Sequence, residues 1–243
     1  MTAIFNPSIR CIIADLIVEV PAVGDLVTRC AEYKYDGEEG ADIVIRTDLF
    51  RKDMWQKLSR ENYMYIESGR CFYAELLMHK GMMLHASAVD LGGKAYLFSA
   101  PSGTGKSTHT RLWKEKFGED AVVFNDDKPA IRCVDGVWYA YGTPWCGKDG
   151  INDNRGVPLA GICFLKQALH NRMRRLTVVE AIPKILSQTL YRSKTEEKID
   201  YLLPLIEDIL KKIPIFELEN KPDQDAVEIS STAMLNAARE AGL

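Results

Sequence analysis

The sequence predicts an α/β fold built on a mixed β-sheet, and three features of its middle part predict it. An apolar run, a loop of small residues and a helical segment follow one another over residues 94–113. Just upstream, the apolar segments 83–89 and 94–99 flank a glycine-containing turn that is typical of a hairpin. After the helical segment the chain returns to an apolar run at 121–127. Strands that alternate with a helix in this way indicate an α/β domain.

Composition limits the size of the core and the kinds of partner. The chain has 243 residues, 47% of them hydrophobic, which is enough for one large domain with a smaller appendage. A formal charge of −3 provides no basic field, so we expect no nucleic acid partner. No apolar run approaches the ~18 residues of a membrane helix and no secretory leader is apparent, so we expect no membrane and a cytoplasmic location. The six cysteines form no C-x-x-C pair, as expected for thiols in a reducing compartment.

The N-terminal part predicts a small β-rich layer. Residues 9–20, IRCIIADLIVEV, have the composition of one strand, and residues 41–47, ADIVIRT, that of another. Ser68 and Gly69 suggest the turn of a hairpin, although residues 72–79 could instead begin a helix. We expect this layer to extend the main sheet.

The rest of the chain predicts packing helices and two further strands. Apolar residues recur at helical spacing over 183–190 and 199–213. Residues 157–165 and 213–218 have the composition of strands, and residues 227–241 predict a terminal helix.

The loop after residue 99, APSGTG, has the composition of a phosphate-binding loop. A strand delivers it, its small residues let backbone N–H groups turn inward, and the next helix points its positive end at the same place. Lys106 supplies a charge for the β- and γ-phosphates, and the Ser107 hydroxyl is placed to ligate Mg²⁺. Ala100 replaces the first glycine of the G-x-x-x-x-G-K-[ST] pattern, and the rest of the pattern is intact. The predicted ATP-binding residues are Ser102, Gly103, Thr104, Gly105, Lys106, Ser107 and Thr108.

A pair of carboxylates ends the strand that follows this helix. Asp126 and Asp127 close the run AVVFNDD, and the carboxyl ends of such strands open on the ligand crevice. A role in catalysis or metal binding is the better interpretation of the pair, although Asp-Asp before Lys-Pro is also an ordinary turn composition. His85 lies on the strand next to the loop strand, where a lone histidine is more often a satisfied core residue. The remaining histidines are predicted at the surface or as caps: His79, His109 and His170.

The order of these motifs resembles the catalytic domain of HPr kinase/phosphorylase, in the phosphoenolpyruvate-carboxykinase-like nucleotide-binding superfamily. The matching segments are LHASAV, APSGTGKST, FNDD, and NDNRG before VPLAGICFL, all within residues 83–165. The resemblance implies a P-loop-containing mixed sheet of that type over residues 79–243, preceded by a β-rich segment over residues 1–78.

The resemblance also implies residue roles. His85 would lie beside the transferred phosphate, and Arg155 would brace phosphate charge. Asp126 would be the base that takes the proton from an acceptor hydroxyl. The metal ligands would be Ser107, Asp127 and Asp153, the last of which stands where the family has a glutamate.

These implications favour Mg²⁺-dependent transfer of the γ-phosphoryl group of ATP to an alcohol. The acceptor could be a peptide or protein serine or a small metabolite, because the N-terminal segment and the stretch YGTPWCGKDG differ from those of true HPr kinases. Two other functions stay open: a nucleotide-binding regulator or scaffold that would not need Asp126, and a carboxykinase-like enzyme that would need further metal ligands. Phosphorolysis and a homo-oligomer are also open.

Overall fold

The computed structural model describes residues 7–47, 58–189 and 197–243. Within these ranges the strands are β1 (Ser8–Ile13), β2 (Leu16–Pro21), β3 (Ile43–Val44), β4 (Gly81–Met83), β5 (Ala86–Leu91), β6 (Ala95–Ser99), β7 (Ala121–Asp127), β8 (Ala130–Val134), β9 (Val137–Tyr141), β10 (Gly156–Gln167), β11 (Arg172–Arg175) and β12 (Ile215–Asn220). The α-helices there are α1 (Asp25–Arg29), α2 (Arg60–Leu76), α3 (Lys106–Phe117), α4 (Val178–Gln188), α5 (Glu197–Lys212) and α6 (Gln224–Glu240). None of these helices has both the length and the apolar composition needed to cross a bilayer.

β10 is the centre of the main sheet. The strand order is β4-β8-β9-β10-β6-β5-β7, with β12 paired to β10 and β11 paired to β12. β10 is parallel to β6 and β12 and antiparallel to β9, so the sheet is mixed, as predicted. β5 pairs with β6 on one side and β7 on the other, and Ala86 lies opposite both Ser99 and Asp127. The carboxyl ends of β6 and β7 therefore meet on either side of the start of β5.

Most predicted elements of residues 79–243 are confirmed. The β5–β6 hairpin, the helix that ends at Gly118 and the strand that ends on two aspartates all form as expected. The later elements α4, α5, β12 and α6 also form, with bounds a few residues from the predicted ones. Local pattern alone was sufficient for these elements.

The N-terminal strands differ from the prediction. Residues 9–20 form two strands, β1 and β2, because Ala14 and Asp15 adopt left-handed φ values of 54° and 57°. Two successive left-handed residues make the turn that suits the twist of a two-residue hairpin. β1, β2 and β3 form a separate three-stranded sheet, so the prediction that this layer extends the main sheet is wrong.

The predicted hairpin around Ser68 and Gly69 is also wrong, because both residues lie inside α2. Ser59 caps this helix by accepting a hydrogen bond from the Asn62 amide at 3.2 Å. Glycine is suited to the middle of α2 because a Cβ at position 69 would lie 2.8 Å from Cδ1 of Trp145. α2 therefore packs closely on the loop of residues 142–150, the 142–150 loop.

Apolar clusters hold the layers together. One cluster joins the main sheet to α4 and α5 through residues such as Ile185 and Ile209. A second joins the opposite face to α3 and α6 through Trp113 and Met234. A third joins the N-terminal strands and α2 to the main sheet and includes Trp145. Since these clusters contain fully buried side chains, they hold α3 and the 142–150 loop in fixed positions.

His109 on α3 is in the core and not at the surface as predicted. It is fully buried, and its Nε2 lies 3.0 Å from the Ser230 hydroxyl on α6. The indole N–H of Trp113 donates to the same hydroxyl at 3.0 Å. This polar group therefore ties α3 to α6 inside an apolar cluster.

Lowering the pH from 6.5 to 4 should destabilise the fold through His109. Burial lowers the pKa of this ring from its usual 6.5 to about 4 in the folded protein. The unfolded chain therefore binds more protons in this window, and the free energy of unfolding should fall by on the order of 3 kcal/mol as the pH drops. Urea unfolding at a series of pH values measures the effect. His109→Gln can still bond Ser230 but cannot titrate, so an equally steep fall in that variant would contradict the assignment.

Candidate functional site

The loop between β6 and α3 exposes backbone amides at the start of a helix. Gly103 and Gly105 have left-handed φ values of 79° and 108°, which residues with a Cβ rarely adopt. No side chain caps α3, and among the described residues the amides of Gly103, Gly105 and Lys106 donate to no backbone acceptor. Free amides at the positive end of a helix form an anion-binding site.

Lys106 turns its ammonium back towards this loop. Its Nζ donates to the Ala100 carbonyl at 3.0 Å and lies 3.2 Å from Nε2 of His85. The residue is only 8% exposed. Burial lowers the pKa of Lys106, and the nearby carboxylates of Asp127 and Asp126 oppose that shift. A buried ammonium whose direct partners are neutral atoms is well placed to receive a polyanion.

His85 is held on both ring nitrogens. Nδ1 lies 3.0 Å from Oε1 of Gln188, the last residue of α4, and Nε2 lies 2.9 Å from Oδ1 of Asp127. The backbone amide of His85 also donates to the Gln188 carbonyl at 2.7 Å. α4 therefore sets the orientation of the ring towards Lys106 and Asp127.

Asp126 contacts the first turn of α3. The Ser107 hydroxyl donates to its Oδ2 at 2.8 Å, and the carboxylate is 7% exposed. Its backbone carbonyl accepts from the Gly147 amide at 2.5 Å. A Cβ at position 147 would lie 3.6 Å from Oδ2 of Asp126, so the 142–150 loop forms one wall of the site.

Asp127 has an unusual backbone conformation, and two side chains bond its carboxylate. Its φ of 102° is rare for a residue with a side chain, and such conformations are concentrated at functional sites. Successive side chains of a regular strand point to opposite faces, and this φ departs from that regular geometry. Asp126 and Asp127 consequently both contact groups near the loop. Burial raises the pKa of Asp127, but hydrogen bonds from His85 and Lys128 outweigh it and hold the pKa well below its usual range.

Sequence reasoning missed two members of this cluster. The Lys128 ammonium forms an ion pair with Oδ2 of Asp127, and the Gln188 side chain orients His85. Lys128 could have been found, because it directly follows the aspartate pair at the end of β7. Gln188 had no such signal, since only the packing of α4 brings it to the loop.

Asp153 and Arg155 lie next to each other but outside this cluster. Arg155 donates to Asp90 at 3.0 Å and to Asp153 at 3.3 Å. Asp90 lies four residues along β5 from Ala86, roughly 13 Å at about 3.3 Å per residue. The backbone amide of Asp126 donates to the Ile151 carbonyl, and the amide of Asp153 donates to the carbonyl of Phe124, two residues earlier in β7. The segment that leads to Arg155 therefore runs along β7 away from the aspartate pair. The geometry therefore gives no support to the predicted roles of Asp153 and Arg155 at the transferred phosphate.

These two residues instead line an open pocket of about 560 Å³. The pocket also contains Glu32 from the N-terminal layer and the turn residue Gly93. Asp90 and Asp153 already neutralise the guanidinium there, so it has no free charge to offer a phosphate.

Ser107 and Asp126 fit a magnesium ion that is shared with a nucleotide. Their oxygens are 2.8 Å apart, close to the about 3 Å between neighbouring ligands of an octahedral ion with bonds of 2.0–2.1 Å. In the described ranges no group of three or more histidine, cysteine, aspartate or glutamate side chains could hold a metal. Magnesium commonly takes one or two protein oxygens together with substrate phosphates, so this donor set suits Mg²⁺ with a nucleotide.

Comparisons with known proteins add a distant likeness in structure. No protein-family model matches the chain, and no curated protein does. Among solved structures, the chain is similar to the Hpr(Ser) kinase/phosphatase from Coxiella burnetii, with a TM-score of 0.36 and 9% sequence identity, over 65% of this chain and 97% of that chain. A TM-score of 0.36 shows no more than a coarse likeness in fold.

Proposed function

We propose that this chain is a kinase that uses ATP and Mg²⁺ to phosphorylate an alcohol. One observation carries the proposal: a buried lysine, a serine–aspartate pair and a histidine–aspartate pair converge where α3 begins. Phosphoryl transfer asks for positioning and charge stabilisation more than for covalent chemistry by the protein. The convergent groups supply an anion cradle, metal ligands and an acceptor-facing carboxylate.

The nucleotide phosphates would occupy the loop at the start of α3. Backbone amides of residues 102–108 would donate to phosphate oxygens, and Lys106 would add a full positive charge. His85 would lie beside the same phosphate oxygens, because its Nε2 is 3.2 Å from the Lys106 ammonium. Ser107 and Asp126 would hold Mg²⁺, which when bound neutralises phosphate charge and orients the transferred group.

The geometry favours an exchange of the two roles that the sequence suggested for the aspartates. Asp126 is bonded to the proposed metal ligand Ser107 and is almost fully buried. The side chain of Asp127 is 29% exposed, so an incoming acceptor can reach it more easily. We therefore propose Asp126 as the metal ligand and Asp127 as the group that orients the acceptor hydroxyl and takes its proton. A loose transition state asks little basicity of that group, which agrees with the low pKa of Asp127.

Incubation with γ-labelled ATP, Mg²⁺ and a panel of alcohols and serine peptides tests the proposal. We expect labelled phosphoester with Mg²⁺ present and none after chelation with EDTA, because Ser107 and Asp126 alone would not retain the ion. Re-addition of Mg²⁺ should restore the product. ATP binding without transfer to any acceptor would favour the nucleotide-binding regulator, and undiminished transfer in EDTA would exclude the proposed metal dependence.

A further inference from the structure

Arg29, the last residue of α1, has a guanidinium that contacts a thiol and an aromatic ring. Its Nη1 lies 2.6 Å from Sγ of Cys146, and its guanidinium lies 5.0 Å from the centre of the Tyr65 ring. Over residues 7–47, 58–189 and 197–243, neither a hydrogen bond nor an ion pair joins this guanidinium to a carboxylate. The charge is thus partly desolvated against a thiol and an aromatic ring.

Two contacts hold this guanidinium, and a further hydrogen bond holds the backbone of Arg29. The Asn152 side chain donates to the Arg29 carbonyl at 2.9 Å, and the Tyr65 hydroxyl donates to the Cys146 carbonyl at 2.9 Å. Both partners of the guanidinium are therefore anchored to the 142–150 loop or its continuation. A preorganised cation of this kind loses little conformational entropy when an anion binds.

Arg29 lies next to the acceptor side of the proposed site. Its partner Cys146 precedes Gly147, where an added Cβ would lie 3.5 Å from Cβ of Asp127. Burial raises the pKa of Tyr65 to about 12, and the charge of Asp127 contributes to that rise, which agrees with their proximity. The guanidinium is thus connected, through Cys146 and Tyr65, to the wall of the site that adjoins Asp127.

We infer that Arg29 recognises an anionic group on the acceptor, so that the substrate is a small alcohol bearing a carboxylate or a phosphate. The inference rests on the proposed kinase function and adds a substrate class to it. The planar guanidinium matches both anions in a two-point contact, and a neutral alcohol would leave it unpaired. Lys128 cannot supply this recognition while its charge is paired with Asp127.

Three alcohols on one carbon framework test the inference in the full chain with Mg²⁺ and γ-labelled ATP. Glycerol is neutral, glycerate adds a carboxylate and glycerol 3-phosphate adds a phosphate. We expect at least one anionic member to have a KM about tenfold or more below that of glycerol, as for a charge-assisted contact. The preferred member identifies which anion the site takes.

Variants of Arg29 locate the effect. Arg29→Met should raise the KM for the preferred anionic acceptor about tenfold or more, while kcat and ATP affinity stay within a few-fold. Arg29→Lys keeps the positive charge but loses the planar, two-point donor geometry of the guanidinium. Its KM for this acceptor should lie between those of wild type and Arg29→Met. Arg10→Met is the matched control, because Arg10 also lies over a tyrosine ring, that of Tyr35 at 5.3 Å, and donates to the Gly37 carbonyl within the N-terminal layer.

The outcomes separate this inference from the function on which it rests. If wild type binds ATP, three outcomes overturn the inference alone. These are equal use of the three alcohols, transfer to none of them, and an unchanged KM in a folded Arg29→Met variant. A wild-type chain that does not bind ATP overturns the proposed function and the inference together. If urea unfolding shows that Arg29→Met does not fold, two other measurements test the inference. They are the KM of Arg29→Lys for the anionic acceptor and the preference of wild type among the three alcohols.

Discussion

Replacing Lys106 with alanine should weaken ATP binding by roughly ten- to a hundredfold and abolish measurable turnover. The buried ammonium is the full charge nearest to the loop amides, and a hydrogen bond to a charged group contributes about 1.5–3 kcal/mol. The loss of turnover should exceed the loss of binding, because phosphate charge shifts during transfer and positioning fails with it. Titration with ATP and single-turnover transfer measure the two effects separately.

The fold itself should tolerate this change. Burial lowers the pKa of Lys106, which means that the folded state disfavours its charge. Lys106→Met, which keeps the aliphatic stem, should therefore unfold at a urea concentration no lower than wild type. Lys114→Ala is the control, because Lys114 is an exposed lysine nearer the end of the same helix and should bind ATP normally. Normal ATP binding by Lys106→Ala would exclude the loop as the phosphate site.

Replacing Asp127 with asparagine should slow transfer by roughly 10²–10⁴, the range for loss of a general base. Asparagine keeps the shape of the side chain but cannot take a proton, so ATP affinity and the Mg²⁺ requirement should change little. Asp126→Asn should behave differently and raise the Mg²⁺ concentration needed for half-maximal rate, because the oxygen next to Ser107 loses its charge. Single-turnover rates over a Mg²⁺ series measure both effects.

The same pair of variants tests the alternative assignment. A slow Asp126→Asn with normal Mg²⁺ dependence, together with a metal-demanding Asp127→Asn, would restore the roles that the sequence suggested. Asp120→Asn, an exposed aspartate just before β7, controls for the general effect of removing a carboxylate. Wild-type rates in both site variants would leave the two aspartates structural and favour a nucleotide-binding regulator.

The part of the site that sequence could predict is the part whose geometry is local. Glycines at 103 and 105, a lysine at the start of a helix and two acids at the end of a strand are all readable from neighbouring residues. The structure places Lys106, Ser107 and the two aspartates together as expected. The division of roles that we propose for the two aspartates could not be predicted from the sequence, because it depends on the φ of Asp127 and on partners from other elements.

The errors arise where distant residues decide the outcome. Ser68 and Gly69 suggest a hairpin turn, with a helix over 72–79 as the alternative, whereas both residues lie in α2 and Ser68 accepts a hydrogen bond from the Trp145 indole, 77 residues later. His109 is in the core because Ser230 provides its partner from α6. Asp153 and Arg155 leave the cluster because their segment follows β7 away from the loop.

The contact of α2 with Trp145 has a consequence for how such a protein could diversify. The indole stacks on Phe72 at 4.8 Å and donates to Ser68, so the N-terminal layer supports the wall of the site that the acceptor would meet. The groups proposed to hold the nucleotide belong to α3, to β7 and to the segments just before β5 and just after β6, and they do not depend on that layer for their contacts with one another. Under the proposed function, acceptor preference can thus change through substitutions in α1 and α2 while the proposed ATP-binding groups are inherited intact.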